Sequence, residues 1–197
     1  MEENIRNERS IISIIKKLRR FKKGPKKEAV PQILFEKCDS CGGLISRNKI
    51  EENFFTCPDC NYHFNISSKD RMDMLLDRYK VINSPFKFTN PIGFPGYKAK
   101  YKENKKKSGL KEGVLAVEGY LKDINIVVVS LDNRFFMGSM GSYMGEQITR
   151  AFEYGAKKDL PILVFSTSGG ARMQEGIFSL MQMAKTNAML VQLSEAG

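Results

Sequence analysis

Pro161-Ile-Leu-Val-Phe-Ser166-Thr-Ser-Gly169-Gly170-Ala-Arg172-Met-Gln-Glu175 is the stretch on which the fold turns. Pro161–Ser166 is a short, continuous apolar run, the pattern of a strand covered on both faces. Beyond the glycines, Ala171–Leu193 reads as one long helix, with Met173, Ile177, Leu180, Met181, Ala184, Ala188 and Val191 on a single stripe. Paired glycines between strand and helix let the backbone approach a ligand closely. Amides at a helix start also meet the positive end of its dipole, so Gly169 and Gly170 suit a phosphate or a developing oxyanion. A plain strand-to-helix turn is the competing reading. The P-loop pattern Gly-x-x-x-x-Gly-Lys-Ser/Thr is absent, and so is the nucleophile elbow Gly-x-Ser-x-Gly.

Upstream, Val114–Tyr120 and Ile124–Leu131 read as strands around a turn at Lys122-Asp123, and Gly145–Lys157 as a helix. Strand, helix, strand, helix argues for an α/β layer architecture. Gly138 and Gly141 lie in a second glycine-rich segment between strand and helix, where a ligand could approach the backbone. Residues 67–82 read as a helix that Ser67 or Ser68 caps, with Met72, Leu75, Leu76 and Tyr79 on one face. Pro85–Gly96 is turn-rich, and Lys98–Lys107 continues as an exposed helix. Residues 1–30 form a helix-prone basic arm that Gly24-Pro25 ends.

All four cysteines fall within residues 34–66. Cys38-Asp-Ser-Cys41 and Cys57-Pro-Asp-Cys60 are two Cys-x-x-Cys knuckles with fifteen residues between them. Each tight turn aims two thiolates at one ion, and two turns complete a tetrahedral sulfur site that suits structural Zn²⁺. Iron could use the same ligands. Disulfides fit poorly with a cytosolic chain. His63 follows Cys60 closely, but four thiolates already fill such a site.

The net charge of +10 is concentrated. Residues 1–30 carry +6 and residues 81–115 another +6, while the remaining segments are near neutral. Solvated basic segments explain this. So does attraction to a polyanion, which keeps a nucleic-acid-binding zinc-ribbon module open as the alternative function. The chain has no apolar run of membrane-spanning length and no secretory signal pattern, so the sequence reads as soluble and cytoplasmic.

Taken together, the cysteine knuckles, Ser108-Gly-Leu-Lys-Glu112, Asp132-Asn-Arg-Phe-Phe-Met-Gly138-Ser-Met-Gly141-Ser142 and Ser168-Gly-Gly-Ala-Arg-Met-Gln-Glu-Gly176 resemble the beta subunit of bacterial and plastid acetyl-CoA carboxylase carboxyltransferase. The resemblance runs from about residue 33 to the end. It implies a basic N-terminal arm at 1–33, a four-cysteine zinc ribbon at 34–66, and the N-terminal part of a CoA carboxyltransferase domain at 67–197, with a crotonase-like β-β-α superhelix. It implies transfer of a carboxyl group from carboxybiotin on a carrier protein to acetyl-CoA, giving malonyl-CoA, the first step of fatty acid biosynthesis. The implied partners are an alpha subunit in an α2β2 assembly, the biotin carboxyl carrier protein and biotin carboxylase. Nucleic acid and membrane are not among them. The implied compartment is the cytoplasm, or the stroma for a plastid-encoded chain.

On this resemblance Gly169 and Gly170 become the oxyanion hole for the thioester enolate. Arg172 could face a ligand phosphate or carboxylate or pair with Glu175 at i+3, and the pairing is preferred; the Lys98–Lys111 segment could attract CoA phosphates, though a solvated basic segment is the preferred reading. Family members run well past residue 197, so the chain by itself is expected to be inactive and to expose apolar surface.

Overall fold

The computed structural model describes residues 35–196. The basic arm expected at 1–33 lies outside them. The described chain divides into two compact units, with the break between His63 and Phe64.

In the first unit, β1 (Phe35–Lys37) pairs antiparallel with β2 (Leu44–Ser46), and α1 (Arg47–Glu52) follows directly. Arg47 holds this corner, with Nη1 3.2 Å from Glu36 and Nε 2.8 Å from Glu51. Ile45, Ile50 and Phe55 supply a small apolar core.

The second unit is built on a four-stranded sheet in the order β3-β4-β5-β6. Before it, α2 (Ser68–Leu75) is capped by Ser67, whose hydroxyl accepts the Asp70 N–H at 2.9 Å. The helix is shorter than its periodicity suggested. Leu76 turns extended, and Arg78–Val81 becomes β3, antiparallel to β4 (Val114–Leu121). Tyr79 therefore stands on a strand; its helical spacing from Met72 and Leu76 was coincidental. Between β3 and β4, α3 spans Tyr97–Ser108 and buries Tyr97 and Tyr101 while its lysines face out.

β4 and β5 (Ile124–Leu131) form a hairpin at the expected positions, and their alternation splits the core cleanly. Val114, Ala116, Val127 and Val129 face α4 (Ser142–Lys158), meeting Met144, Ile148, Ala151 and Phe152. Val117, Ile126 and Val128 face α2, meeting Met72 and Leu76. Sheet faces alternate because successive side chains point to opposite sides. α4 is the crossover that returns the chain to β6 (Ile162–Phe165), which pairs parallel with β5. β4, β5 and α4 make one β-β-α unit.

β6 departs from expectation. It is the outermost strand of this sheet and only half covered, with Val164 40% exposed. The last helix departs further. α5 begins at Ile177, not Ala171, after a 3₁₀ turn at Met173–Glu175 and Gly176 at φ +57°. The expected apolar stripe is real but faces outward: Ile177, Leu180, Met181 and Val191 are all exposed. The half-buried side carries Gln182, Thr186, Met189 and Leu193, with Ser179 buried. α5 crosses α4 at Gly145, where a Cβ would lie 2.6 Å from Gln182 Cβ. That close crossing selects which face of α5 packs.

Candidate active site and metal centre

The two cysteine knuckles fold in the same way. The Cys38 N–H donates to Gly43 O and the Cys57 N–H to Tyr62 O, five residues on in each case. Gly42 N–H returns to Cys38 O, and Asn61 N–H to Cys57 O. Gly42 and Asn61 both adopt positive φ, +76° and +60°, the conformation that Gly and Asn tolerate best. Each knuckle thus wraps its amides beneath its sulfurs.

The result is four Sγ atoms within 4.8 Å of one another. Cys38 and Cys60 sulfurs are 3.6 Å apart, and Cys41 and Cys57 sulfurs 3.8 Å. Tetrahedral Zn–S bonds of about 2.3 Å require sulfur separations of roughly 3.8 Å, so the donor set fits Zn²⁺. The Tyr62 N–H draws the Cys60 thiol down to about 7 against the opposing effect of burial, while burial pushes the Cys57 thiol up and, against the Gly43 N–H, burial and the neighbouring sulfurs push the Cys41 thiol up to about 12. His63 stands apart, its Nδ1 3.5 Å from Thr56 Oγ1. Four sulfur ligands leave no open position, so the ion is structural.

In the second unit the two glycine-rich segments come side by side. After β5, Asp132 is buried and accepts from Ser68 N at 2.8 Å and from Arg134 Nε and Nη2 at 2.9 and 2.8 Å. Burial works against this charge, but Arg134 and the backbone donors hold the carboxyl below its ordinary range. The chain then takes three left-handed residues in succession, Phe136, Met137 and Gly138 at φ +47°, +54° and +74°. Two of them are not glycine, a costly conformation that the surroundings must enforce. Asn104 Oδ1 accepts the Phe136 N–H at 3.2 Å, and Phe135 is fully buried beside Tyr101, with ring centroids 5.3 Å apart.

This turn brings Met137 against Gly169. A Cβ on Gly169 would lie 2.8 Å from Met137 O, and one on Gly138 would lie 3.2 Å from Thr167 O. Met140 pairs with Ala171 as a parallel bridge, with Met140 N donating to Gly170 O and Arg172 N to Met140 O, both at 2.8 Å. Gly169 and Gly170 therefore do not sit at a helix start as expected; α5 begins seven residues beyond Gly170. Gly170, at φ +82°, has open space where its Cβ would stand, and its N–H donates to Ser168 Oγ at 3.0 Å. Among the described residues nothing accepts from the Gly169 or Ala171 N–H. Gly169 and Ala171 line a cavity of about 420 Å³ together with Lys100, Asn104, Arg134 and Met137. Of the Lys98–Lys111 segment, Lys100 reaches this cavity; its Nζ lies 5.9 Å from the Phe136 ring centre.

Beneath the cavity lies a buried ionic network that the sequence showed only in part. Arg172, 1% exposed, donates from Nη2 to Glu112 Oε1 at 2.7 Å and to Ser139 O at 2.9 Å. Its Nη1 is 3.5 Å from Glu175 Oε1, the pairing expected from the i,i+3 spacing but the longer of the two. Glu175 accepts from Tyr97 OH at 2.6 Å, and from Ser142 N and Oγ at 2.6 Å each. Burial works against the Arg172 charge, but Glu112 and the Tyr97 hydroxyl hold its pKa above the usual value. Burial likewise pushes the Tyr97 hydroxyl up, leaving it a neutral donor to Glu175. Gly141 belongs here: a Cβ on it would lie 2.7 Å from Glu175 Oε1 and 2.9 Å from Arg172 Nη1. It makes room for the ion pair. Glu112 was visible only as a member of a motif, since it stands sixty residues from its partner.

The carboxyl transferase domain model matches residues 81–196, and the acetyl-CoA carboxylase zinc finger domain model matches residues 35–60. The acetyl-coenzyme A carboxylase carboxyl transferase subunit beta of Clostridium novyi (strain NT) is 44% identical over 170 residues, which is 85% of this chain and 59% of that protein. The subunits beta/alpha protein of Natranaerobius thermophilus is 42% identical over 173 residues, 87% of this chain and 29% of its own. The chain spans about three-fifths of the length of the separate beta subunits it matches. Among solved structures, transcarboxylase 12S with hydrolysed methylmalonyl-coenzyme A bound superposes with a TM-score of 0.56 and 26% identity, over 66% of this chain and 24% of that one. No helix among the described residues is long and apolar enough to cross a membrane. With its crotonase-like β-β-α core and its four-sulfur ribbon, the chain belongs to the carboxyl transferase domain family, on the branch that carries an acetyl-CoA carboxylase zinc finger.

Proposed function

We propose that this chain supplies the CoA-facing half of a carboxyltransferase site that moves a carboxyl group from carboxybiotin to acetyl-CoA, forming malonyl-CoA in the cytoplasm. The observation that carries this reading is Gly169, which lines the 420 Å³ cavity and whose N–H has no acceptor among the described residues. Carboxylating the methyl carbon of a thioester requires an enolate, whose charge collects on the thioester oxygen. Preorganised amides stabilise that charge without reorganisation. Gly169 donates directly. Gly170 turns the chain and holds its N–H on Ser168 Oγ until a ligand oxygen arrives. Carboxybiotin on its carrier supplies the carboxyl group and, on losing it, the base, so the chain itself needs no side-chain base. Lys100 places positive charge at the cavity, where an anionic substrate is drawn in.

In this reading Gly138 and Gly141 serve the site through close packing, not through contact with CoA. The ribbon, Cys38, Cys41, Cys57 and Cys60, stabilises the first unit. An alpha subunit completes the site, and the carrier protein and biotin carboxylase deliver the charged biotin. The nucleic-acid module is not favoured, because family membership rests on residues 81–196 as well as on the ribbon.

The test is malonyl-CoA-dependent carboxylation of a biotin analogue by an assembly of this chain, the remainder of a beta subunit and an alpha subunit. Gly169→Ala keeps the N–H but sets a Cβ 2.8 Å from Met137 O and so displaces the amide; activity that falls about 10²-fold or more supports the reading. Full activity in that variant defeats it.

A further inference from the structure

Met137 stands in a backbone conformation that a glycine adopts without strain. Its φ is +54°, and Phe136 and Gly138 on either side are left-handed as well. A bulky residue persists there only where its surroundings enforce it, and such positions cluster at functional sites. The enforcement is visible. Asn104 Oδ1 accepts the Phe136 N–H at 3.2 Å, the Gly138 N–H donates to Phe135 O at 2.9 Å, and Phe135 is fully buried. Yet the Met137 side chain takes little part in the packing thus secured. It is 73% exposed and lines the amide cavity beside Gly169. Chain neighbours apart, the three atoms nearest a Cβ on Gly169 all belong to Met137, its own Cβ among them at 3.2 Å. Met173, the other methionine on this cavity, is not among them.

We propose that Met137 limits the size of the acyl group that this site accepts. The proposal rests on the reading of Gly169 as a donor to the thioester oxygen. An oxygen held by that N–H lies about 2.9 Å from the nitrogen. The α-carbon of the acyl group is one C=O and one C–C bond further on, roughly 2.4 Å from the oxygen. It therefore stands within about 5 Å of the Gly169 amide. Beyond its Cβ, Met137 has three more side-chain atoms on rotatable bonds, a reach of roughly 4 Å, with which to meet it. A thioether is a weak acceptor and no donor, so what it offers a ligand is apolar contact. The acyl α-carbon is the apolar group at that distance. Acetyl presents a methyl there, and a longer acyl group adds a carbon at the same point.

The test uses the assembly of this chain, the remainder of a beta subunit and an alpha subunit. It compares malonyl-CoA with methylmalonyl-CoA as carboxyl donor to a biotin analogue; the second compound carries one extra methyl on the α-carbon. Met137→Ala should raise kcat/KM for methylmalonyl-CoA relative to malonyl-CoA by about 10-fold or more, the discrimination that one such carbon carries in an apolar pocket. Met137→Leu, of similar bulk, should keep the ratio of the unaltered assembly. Should Met137→Ala not fold, Met137→Gly, which suits the positive φ, is read in the same way. A rise below about threefold in the small variant overturns the proposal, and so does an equal rise in Met137→Leu. Gly169→Ala separates this proposal from the reading beneath it. Activity lost there with an unmoved Met137 ratio defeats the size limit alone, whereas full activity there defeats the oxyanion reading itself.

Discussion

Replacing Arg172 with Met probes the buried network directly. The guanidinium is fully enclosed, and its removal leaves the Glu112 carboxylate without its 2.7 Å partner and frees Ser139 O. Deleting one member of a buried ion pair costs about 3–5 kcal/mol, because the other charge stays behind unpaired. At about 2–4 °C per kcal/mol for a chain of this length, the midpoint should fall by roughly 6–20 °C. The chain has no tryptophan, so urea unfolding is best followed by far-ultraviolet circular dichroism. Glu112→Gln in the same background should return part of the loss, with a coupling of about 0.5–3 kcal/mol between the two sites. A cost below about 1 kcal/mol for Arg172→Met, or strict additivity in the double variant, would refute the claim that these two charges hold each other in place.

Removing zinc with a chelator should unfold residues 35–63 and leave the sheet intact, seen as loss of ribbon amide protection with the strand signal retained; Cys57→Ser should do the same without chelator. Gly170→Ala should cost about 1–2 kcal/mol through its positive φ alone, since nothing crowds its Cβ, whereas Gly169→Ala should also displace Met137, visible as a shifted Met137 methyl resonance. Lys80, with Tyr154, holds the Glu118 carboxyl at about 2, below its ordinary 4.5. A depressed carboxyl contributes its full stability above pH 4.5 and loses it as pH falls toward 2, so Glu118→Gln should flatten the acid limb of a stability profile in that window. The exposed apolar side of α5 should bind a hydrophobic dye in the chain by itself, and no dye response would contradict that surface.

The hairpin of β4 and β5 was legible because its residues alternate for two faces, and alternation survives any tertiary context. The metal ligands were legible because spacing alone brings each cysteine pair together. Tyr79 misled because one aromatic at helical spacing outweighs nothing once Leu76 turns extended and pairing with β4 begins. The stripe on α5 was identified, but periodicity does not say which side packs; the crossing at Gly145 decides that. Arg172 and Glu175 share a local motif and could be paired on spacing. Glu112, Tyr97 and Ser139 reach the same guanidinium from three separate segments, and only the fold brings them there.

α5 is built inside out relative to an ordinary surface helix. Its seam with α4 is closed by Gln182 against Gly145 and by the Lys185–Glu146 ion pair, and Ser179 ties its first turn to Met140 O, while its greasiest residues look away. Anchoring and stickiness are thereby divided between opposite flanks of one rod. Solubilising changes at Leu180, Met181 or Val191 can be made without unpicking the stitches, and the same rod is equipped to serve as an inner partition with protein on both sides.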